Sequence, residues 1–255
     1  METVQPLIEI RDLDYTYSGN PPLKALTGIN LTCRPGEFVA IVGANGSGKT
    51  TLARLLNALL LPTRGEIFVA GLNTRDRATW PLLRSHVAMV FQQPEDQIIS
   101  TTVEDDVAFG PENLGLPADE VERRVRRALD WVDMWPLRHR PPHLLSVGQQ
   151  QRVAIAGALA MQPSCLVLDE PTAMLDPAGR KQVLAILKRL QAEGVTILLI
   201  THHMPEAAQA ERVIVLASGQ IAYDGKPETL FSHPERVARL GLEPPPWADL
   251  AARLT

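Results

Sequence analysis

The eight residues GANGSGKT at positions 43–50 constrain the fold more than any other part of the sequence. They fit the spacing G-x-x-x-x-G-K-[ST] and stand between an apolar run at 38–42 and a segment with leucines at helical spacing over 49–60. Glycines let backbone N–H groups point inward at phosphate oxygens, and the helix that follows adds the positive end of its dipole. The motif predicts a strand, a loop and a helix that together bind a nucleotide.

Each residue of this loop is a candidate nucleotide contact. Lys49 is expected to reach the β- and γ-phosphates, and Thr50 to offer its hydroxyl to Mg²⁺. A chance glycine-rich turn is the alternative, and average residue usage gives such a pattern a probability of roughly one per cent in a chain of this length. The predicted contacts are Gly43, Ala44, Asn45, Gly46, Ser47, Gly48, Lys49, Thr50 and Thr51.

The length, charge balance, cysteines and apolar runs of the chain limit the class of protein to which it can belong. A length of 255 residues suits one domain with an added lobe, and 25 basic against 29 acidic residues argue against a nucleic-acid partner held by phosphate charge. Cys33 and Cys165 lie in apolar strand-like contexts, which favours two buried thiols over a disulfide. The amino terminus lacks a signal-peptide pattern and the longest apolar runs are too short to cross a bilayer, so we expect a soluble or peripheral chain.

Strand-like and helix-like segments alternate along the chain. Strand patterns recur at 7–17, 38–42, 66–71, 165–168, 195–200 and 213–216, with a helix predicted at 178–192. Helical periodicity over 117–132 and 149–160 predicts a helical insertion at about 92–160. The pattern indicates an α/β fold with a largely parallel sheet, and the last thirty residues, with PPPW at 244–247, suggest a short helical appendage.

Polar residues follow two of the predicted strands. The run CLVLDE at 165–170 ends in two acids, of which Asp169 is placed to hold Mg²⁺ near the phosphate loop. Glu170 should point differently, as the strand period requires, and could polarise an attacking water. After the strand at 195–200, His202 is a candidate γ-phosphate contact, and His203 is the weaker candidate. Solvated strand ends and a structural histidine are the alternatives.

The segment LLSVGQQQRVAIAGALA at 144–160 contains a helix-capping pattern, S-x-x-Q, at Ser146 and Gln149. Together with GANGSGKT, CLVLDEP and LITHH in that order, it closely resembles the ATP-binding-cassette (ABC) ATPases over about residues 5–225, with LSVGQ where their signature LSGGQ stands. The resemblance implies a P-loop NTPase (RecA-like) ABC cassette over 1–225. That cassette would contain an antiparallel β subdomain and a helical subdomain at about 92–160, and a C-terminal helical extension would follow at 226–255.

The resemblance also implies a head-to-tail dimer with two ATP molecules between the subunits. The phosphate loop of one subunit would face Ser146, Gly148 and Gln149 of the other, where a helix N-terminus with a cap hydroxyl forms a second anion site. Val147 departs from the family's middle glycine. Because a β-branched residue restricts the backbone there, we expect a γ-phosphate contact below full strength and ATP binding that survives.

Four further positions match the family's motifs. Tyr17 matches the aromatic residue that stacks on adenine, although Tyr15 shares its strand face. Gln92 matches the glutamine that senses Mg²⁺ and the attacking water, and His202 matches the switch histidine. Asp176 matches the loop that crosses the dimer interface.

The segment QQPEDQIISTTVEDDVAFGPENLGLP at 92–117 resembles the energy-coupling factor (ECF) transporter ATPases, which import cobalt, nickel and vitamins. That resemblance implies a peripheral ATPase on the cytoplasmic face of the membrane, with a transmembrane coupling protein and a small substrate-binding membrane protein as partners. Clustered carboxylates facing basic helices suit electrostatic docking. We therefore expect outward-facing side chains at Asp96, Gln97, Glu104, Asp105 and Asp106.

Two other functions stay open at this level. One is a cytosolic ABC ATPase that remodels a protein assembly without transport, and the other is a regulatory nucleotide-binding module without turnover. The sequence permits a homodimer or a heterodimer, and it does not identify a transported substrate, because substrate recognition would lie in another polypeptide.

Overall fold

The computed structural model describes residues 5–247 of the chain. In chain order the strands are β1 Ile8–Tyr17, β2 Leu23–Cys33, β3 Phe38–Val42, β4 Arg64–Val69, β5 Leu72–Asn73, β6 Val87–Val90, β7 Cys165–Asp169, β8 Thr196–Ile200, β9 Arg212–Ala217 and β10 Gln220–Gly225. The helices are α1 Lys49–Leu56, α2 Trp80–His86, α3 Val103–Asn113, α4 Ala118–Trp131, α5 Val147–Ala160, α6 Pro177–Ala192, α7 Met204–Ala207, α8 Pro227–Phe231 and α9 Pro234–Arg239.

The strands form two sheets. The six-stranded sheet has the order β10-β9-β3-β8-β7-β6, and the four-stranded sheet has the order β2-β1-β4-β5. Neighbours from β9 to β6 pair in parallel, and only β10 is antiparallel to its neighbour. The four-stranded sheet is antiparallel throughout. The predicted α/β fold with a largely parallel sheet is confirmed.

The central strand β3 explains why the larger sheet is covered on both faces. All five of its residues are buried, and they alternate between two hydrophobic cores. Ala40 and Val42 belong to the core formed with α3 to α6, whereas Val39 and Ile41 belong to the core formed with α1 and the antiparallel sheet. This period-two alternation is the reason the run at 38–42 is continuously apolar.

Helices α3, α4 and α5 occupy the interval between β6 and β7, where the sequence predicts a helical insertion. The apolar side of α4 is buried through Val121, Val125, Ala128 and Leu129, and the charged side faces solvent. The helix after the phosphate loop is shorter than its leucine pattern predicts: it ends at Leu56, because Ala58 takes a left-handed backbone with φ 51°. Leu59 is then 47% exposed, so the pattern overextends the helix.

Both cysteines are buried and free. Burial raises the pKa of the Cys33 thiol to about 12 and also raises that of Cys165, so both remain protonated and pack as small apolar side chains. The prediction of two buried thiols is confirmed.

The segment after β10 packs on the core through Leu230, Phe231 and Val237. Its two short helices precede the proline run at 244–247, and the Trp247 ring meets the Phe231 ring edge-on at 6.0 Å. The rest of the predicted appendage, residues 248–255, lies outside the described part of the chain. Between residues 5 and 247, no helix combines the length and apolar character needed to cross a membrane.

Candidate active site

The phosphate loop has a backbone that only small residues allow. Gly48 precedes α1 with φ 104°, and a Cβ atom added there would lie 2.8 Å from the carbonyl oxygen of Ala25. Lys49 is 6% exposed, and its Nζ donates to the carbonyl oxygens of Gly43 at 2.8 Å and Ala44 at 3.1 Å. Burial lowers the pKa of Lys49, and the nearby carboxylates of Glu170 and Asp169 oppose that shift. The buried ammonium is thus ready to exchange carbonyl contacts for phosphate oxygens.

The loop borders a cleft of about 1010 Å³. Most of the predicted site residues line this cleft, which also takes in residues from β2 and from the chain after α9. The lining comprises Tyr17, Leu23, Lys24, Ala25, Gly43, Ala44, Asn45, Gly46, Gly48, Lys49, Thr50, Thr51, Gln92, Glu170, His202, Gly241, Leu242 and Glu243. Ser47 lies beneath the surface at 4% exposure, and its Oγ has no hydrogen-bond partner among the described residues.

The two tyrosines of β1 occupy different environments. Tyr15 is 9% exposed and belongs to the core, whereas Tyr17 lines the cleft with its hydroxyl 3.1 Å from Oγ1 of Thr51. The pairing of β1 with β2 shifts register between Tyr15 and Thr16, and the two rings meet edge-on at 4.8 Å. This irregularity separates two residues that a regular strand would place on one face, and it leaves Tyr17 available to a base.

Three predicted catalytic side chains meet at one carboxylate oxygen. Oε2 of Glu170 lies 3.2 Å from Nε2 of Gln92 and 3.2 Å from Nδ1 of His202. The orientation of Glu170 has a different cause from the one predicted. Strand β7 ends at Asp169, and Glu170 turns away because its backbone is left-handed, with φ 49°, rather than through strand alternation. Such strained backbone is typical of functional positions.

Asp169 lies beneath the loop rather than on the cleft wall. It is 4% exposed, and burial is the main cause of its raised pKa, which the hydrogen bond from Thr50 opposes. A hydroxyl and a carboxylate next to a phosphate loop are a suitable donor set for magnesium, which prefers oxygen ligands and keeps several waters. Within residues 5–247 no group of three or more His, Cys, Asp or Glu residues could hold a metal by itself.

The signature segment begins a helix, as its capping pattern predicts. The Ser146 N–H donates to Oε1 of Gln149 at 2.9 Å, and the Gln149 N–H donates to Oγ of Ser146 at 3.3 Å. Val147 is the first residue of α5 and has helical backbone, which valine can adopt. The backbone restriction anticipated for Val147 therefore has no visible effect on the helix.

Besides Ser47, four predicted nucleotide contacts do not line the cleft of their own chain: Ser146, Gly148, Gln149 and Asp176. Asp176 instead caps α6, where its Oδ1 accepts the Gly179 N–H at 2.7 Å. Ser146 and Asp176 are both exposed, so their side chains are accessible to a second molecule.

The segment after β6 differs from the prediction at two residues. Gln97 and Asp106 were expected to face outward, and both face the chain itself. Oε1 of Gln97 accepts the Phe91 N–H at 3.1 Å. Oδ1 of Asp106 accepts two backbone N–H groups, those of Ile99 at 2.8 Å and Ser100 at 3.1 Å. The outward prediction is wrong for both, because the loop between β6 and α3 needs acceptors for its own N–H groups.

The neighbouring acids have local partners but remain accessible. Asp105 accepts the Thr102 hydroxyl at 2.6 Å at the start of α3, and Glu104 lies 3.1 Å from Nδ1 of His139. Asp96 and Glu95 are exposed. Only part of the acidic run therefore faces outward.

Gly241, Leu242 and Glu243 line the nucleotide cleft, and no sequence pattern pointed to them. Leu242 is anchored in the core at 8% exposure, and its N–H donates to the Val237 carbonyl at 3.2 Å. These residues reach the cleft only through the packing of α8 and α9, so no local motif could have identified them.

Comparisons with known proteins agree with this geometry. The family model described as "ABC transporter" matches residues 26–173, which is more than half of the chain. The chain therefore belongs to the ABC transporter family of ATPases, and it hydrolyses ATP with Mg²⁺.

Within that family the chain is similar to ATP-binding proteins of energy-coupling factor transporters. It is 53% identical to the energy-coupling factor transporter ATP-binding protein EcfA1 of Symbiobacterium thermophilum, over 98% of this chain and 89% of the relative. The solved structure of cbiO1 from Clostridium perfringens, described as part of the ABC transporter complex cbiONQ, matches with a TM-score of 0.83 and 37% identity, over 97% of this chain and 99% of that one. A dimeric ATP-binding cassette bound to ADP and Pi matches with a TM-score of 0.78 and 31% identity, over 86% and 98%.

Proposed function

We propose that this chain is the ATP-hydrolysing subunit of an energy-coupling factor importer for cobalt, nickel or a vitamin. It would act at the cytoplasmic face of the membrane and drive transport through separate membrane subunits. The observation that carries the proposal is the 53% identity to an energy-coupling factor ATP-binding protein over 98% of this chain. An assembly-remodelling ATPase lacks a comparable supporting observation.

In this proposal the residues at the site have separate roles in ATP binding and hydrolysis. Lys49 and the loop N–H groups bind the phosphates, and Tyr17 stacks on the base. Thr50, Asp169 and Gln92 would hold Mg²⁺, which would supply positive charge to offset that of the phosphates. Glu170 orients and polarises the attacking water, and its contacts with Gln92 and His202 at 3.2 Å restrict where that water can sit.

A second subunit would complete the site. Ser146, Gly148 and Gln149 stand at the N-terminus of α5, and the positive end of the helix dipole there attracts anions. Because these residues lie away from the cleft of their own chain, they are available to the nucleotide of a partner cassette. Asp176 would lie at the same interface. The arrangement serves a homodimer or a heterodimer equally.

The membrane partner would dock beside the segment that carries Gln92. A groove of about 360 Å³ lies there, lined by Glu95, Ile98, Ile99, Ser100, Pro142, His143 and Gln150. Ile99 is 64% exposed and Leu144, next to the groove, is 63% exposed. Apolar side chains beside a carboxylate suit an amphipathic helix with a basic residue. The groove joins the segment after β6 to the segment before α5, so a helix seated in it would touch both nucleotide-sensing segments.

The docking proposal is tested by co-purification of tagged chain with its membrane subunits in detergent. Ile99→Asp should strongly reduce the recovery of membrane subunits, because it buries a charge against the apolar face of the amphipathic helix. ATP binding, followed by the thermal shift that Mg-ATP produces, should be unchanged. Leu82→Asp is the matched control, since Leu82 is 54% exposed on α2, away from the groove.

Equal recovery of membrane subunits with Ile99→Asp and wild type would reject this groove as the docking site. Co-purification of the wild type with soluble proteins alone would reject the transport function itself and support the assembly-remodelling alternative. Because the two results differ, the site and the function can fail independently.

A further inference from the structure

Glu206 is a buried carboxylate that none of the predicted site roles uses. It is 2% exposed on the short helix α7 and does not line the nucleotide cleft. We propose that Glu206 is a positioning residue for ATP hydrolysis, which holds the segments bearing Glu170 and His202 at a fixed separation.

Both oxygens of the Glu206 carboxylate accept a buried hydroxyl. Thr172 Oγ1 donates to Oε1 at 2.7 Å, and Thr201 Oγ1 donates to Oε2 at 2.8 Å. Each threonine is 1% exposed, so water does not compete for these bonds. Thr201 also accepts the backbone N–H of His203 at 3.0 Å. The network therefore runs without a break from one post-strand segment to the other.

The threonines belong to the two segments that matter for hydrolysis. Thr172 lies two residues after Glu170, which follows β7, and Thr201 immediately precedes His202, which follows β8. Glu170 and His202 are themselves in contact at 3.2 Å. The Glu206 carboxylate thus connects the two segments away from the cleft, whereas the side chains of Glu170 and His202 meet at the cleft.

A third element reaches the same carboxylate. Nε of Arg180 lies 3.5 Å from Oε1 of Glu206. Arg180 is in the first turns of α6, four residues after Asp176, which caps that helix. Glu206 is therefore the common contact of the Glu170 segment, the His202 segment and the start of α6. That arrangement is what an anchor behind an active site requires, since rigid support from behind fixes the orientation of the reacting groups.

The strands hold these segments at their first residues, where the Glu170 N–H donates to the Ile200 carbonyl at 3.0 Å and the Thr201 N–H donates to the Ile41 carbonyl at 3.2 Å, and the residues beyond depend on turn and side-chain contacts. Both lie beyond the last residue of their strands, and Glu170 has left-handed backbone. A displacement of about 1 Å at a reacting group costs on the order of 100-fold in rate. Loss of the Glu206 contacts should therefore lower kcat far more than it alters ATP affinity, because the phosphate loop on α1 is not part of the network.

The test compares two buried threonines at opposite ends of β8. Thr201→Val removes the hydroxyl that contacts Glu206, whereas Thr196→Val removes a hydroxyl that accepts the Gly36 N–H at 2.9 Å at the far end of the same strand. Steady-state ATP hydrolysis by the full-length chain is measured over a range of ATP concentrations, and the folded fraction is measured by thermal unfolding. Thr201→Ser and Glu206→Gln complete the set.

We expect Thr201→Val to lower kcat about 10-fold or more with KM for ATP within about 3-fold, in line with the cost of misplacing a reacting group. Thr196→Val should leave kcat per folded molecule unchanged. Thr201→Ser should restore kcat, because it restores the hydroxyl, and Glu206→Gln should lose activity as Thr201→Val does. Equal kcat per folded molecule for Thr201→Val and Thr196→Val would overturn the proposal, whether both variants keep the wild-type kcat or both lose activity.

The inference rests on ATP hydrolysis alone and does not require the proposed transport function. Failure of the co-purification experiment would leave it intact, and its own failure would leave the docking groove intact.

Discussion

Asp169 offers a prediction in which stability and function change in opposite directions. The carboxylate is 4% exposed, and burial is the main cause of its raised pKa. Asp169→Asn keeps the shape and an oxygen that can accept the Thr50 hydroxyl, but it removes the charge. We expect the nucleotide-free variant to be more stable than the wild type at neutral pH, and Mg-dependent ATP binding to be lost.

The direction of the stability change follows from the effect of folding on the pKa of Asp169. Because the pKa of Asp169 is higher in the folded chain than its ordinary value of 3.8, the folded chain binds this proton more tightly than the unfolded chain does. Stability therefore falls as the pH rises from 3.8 through the folded pKa, and the charged carboxylate is a cost at neutral pH. A buried polar group with incomplete compensation costs on the order of 1 kcal/mol. In a chain of this size that corresponds to about 2–4 °C in the unfolding midpoint.

Mg-ATP should reverse the order of thermal stability of the wild type and Asp169→Asn. Ligand at 100 times its Kd stabilises a protein by about 2.7 kcal/mol, which is several degrees. Thermal unfolding at pH 7 is measured for the wild type and Asp169→Asn, with and without Mg-ATP, and repeated without nucleotide at a pH near 4. The variant should be the more stable without Mg-ATP and the less stable with it, and its advantage should shrink at the lower pH. A nucleotide-free variant that is less stable than the wild type at pH 7 would refute the reasoning, and so would a full Mg-ATP shift in the variant.

Three further predictions concern single residues. Glu170→Gln should keep ATP binding, measured by thermal shift, and lower kcat about 10²–10⁴-fold in a phosphate-release assay, because the amide retains the shape but cannot polarise water; near-normal hydrolysis would contradict its role. Gly48→Ala should abolish ATP binding and lower stability, measured by the same thermal shift, because its Cβ would lie 2.8 Å from the Ala25 carbonyl oxygen and φ is 104°; a normal shift would contradict this. Asp106→Ala should cost about 1–3 kcal/mol in chemical denaturation, because two loop N–H groups lose their acceptor; an unchanged midpoint would contradict it.

The phosphate loop was predictable because its determinants are adjacent in sequence. Strand β3, the glycines and α1 occupy consecutive residues, and each obeys a local rule of backbone geometry. The meeting of Gln92, Glu170 and His202 was predictable to a lesser degree. These residues come from distant parts of the sequence, but each follows a strand of the same parallel sheet, and parallel strands bring their carboxyl ends to one edge.

Other features depend on contacts that no local pattern encodes. The separation of Tyr15 from Tyr17 arises from a register shift against β2, and the turn at Glu170 arises from left-handed backbone. The contacts of Glu206 with Thr172 and Thr201 join residues that are adjacent only after β7 and β8 pair. Each could be identified only once the strands were placed together.

The hydrogen bonds of Gln97 and Asp106 show how the acidic segment after β6 is held in place. Gln97 and Asp106 satisfy backbone N–H groups of the loop, and that internal bonding keeps the loop in one shape. The side chains that remain outside, including Glu95 and Ile99, are thus displayed on a braced segment rather than on a free one. Coupling between sites is carried by packed and hydrogen-bonded elements, so a segment held in this way can transmit a displacement. In the proposed docking mode, movement of a partner helix at Ile99 would reach Gln92, because the intervening loop is held by hydrogen bonds near both ends.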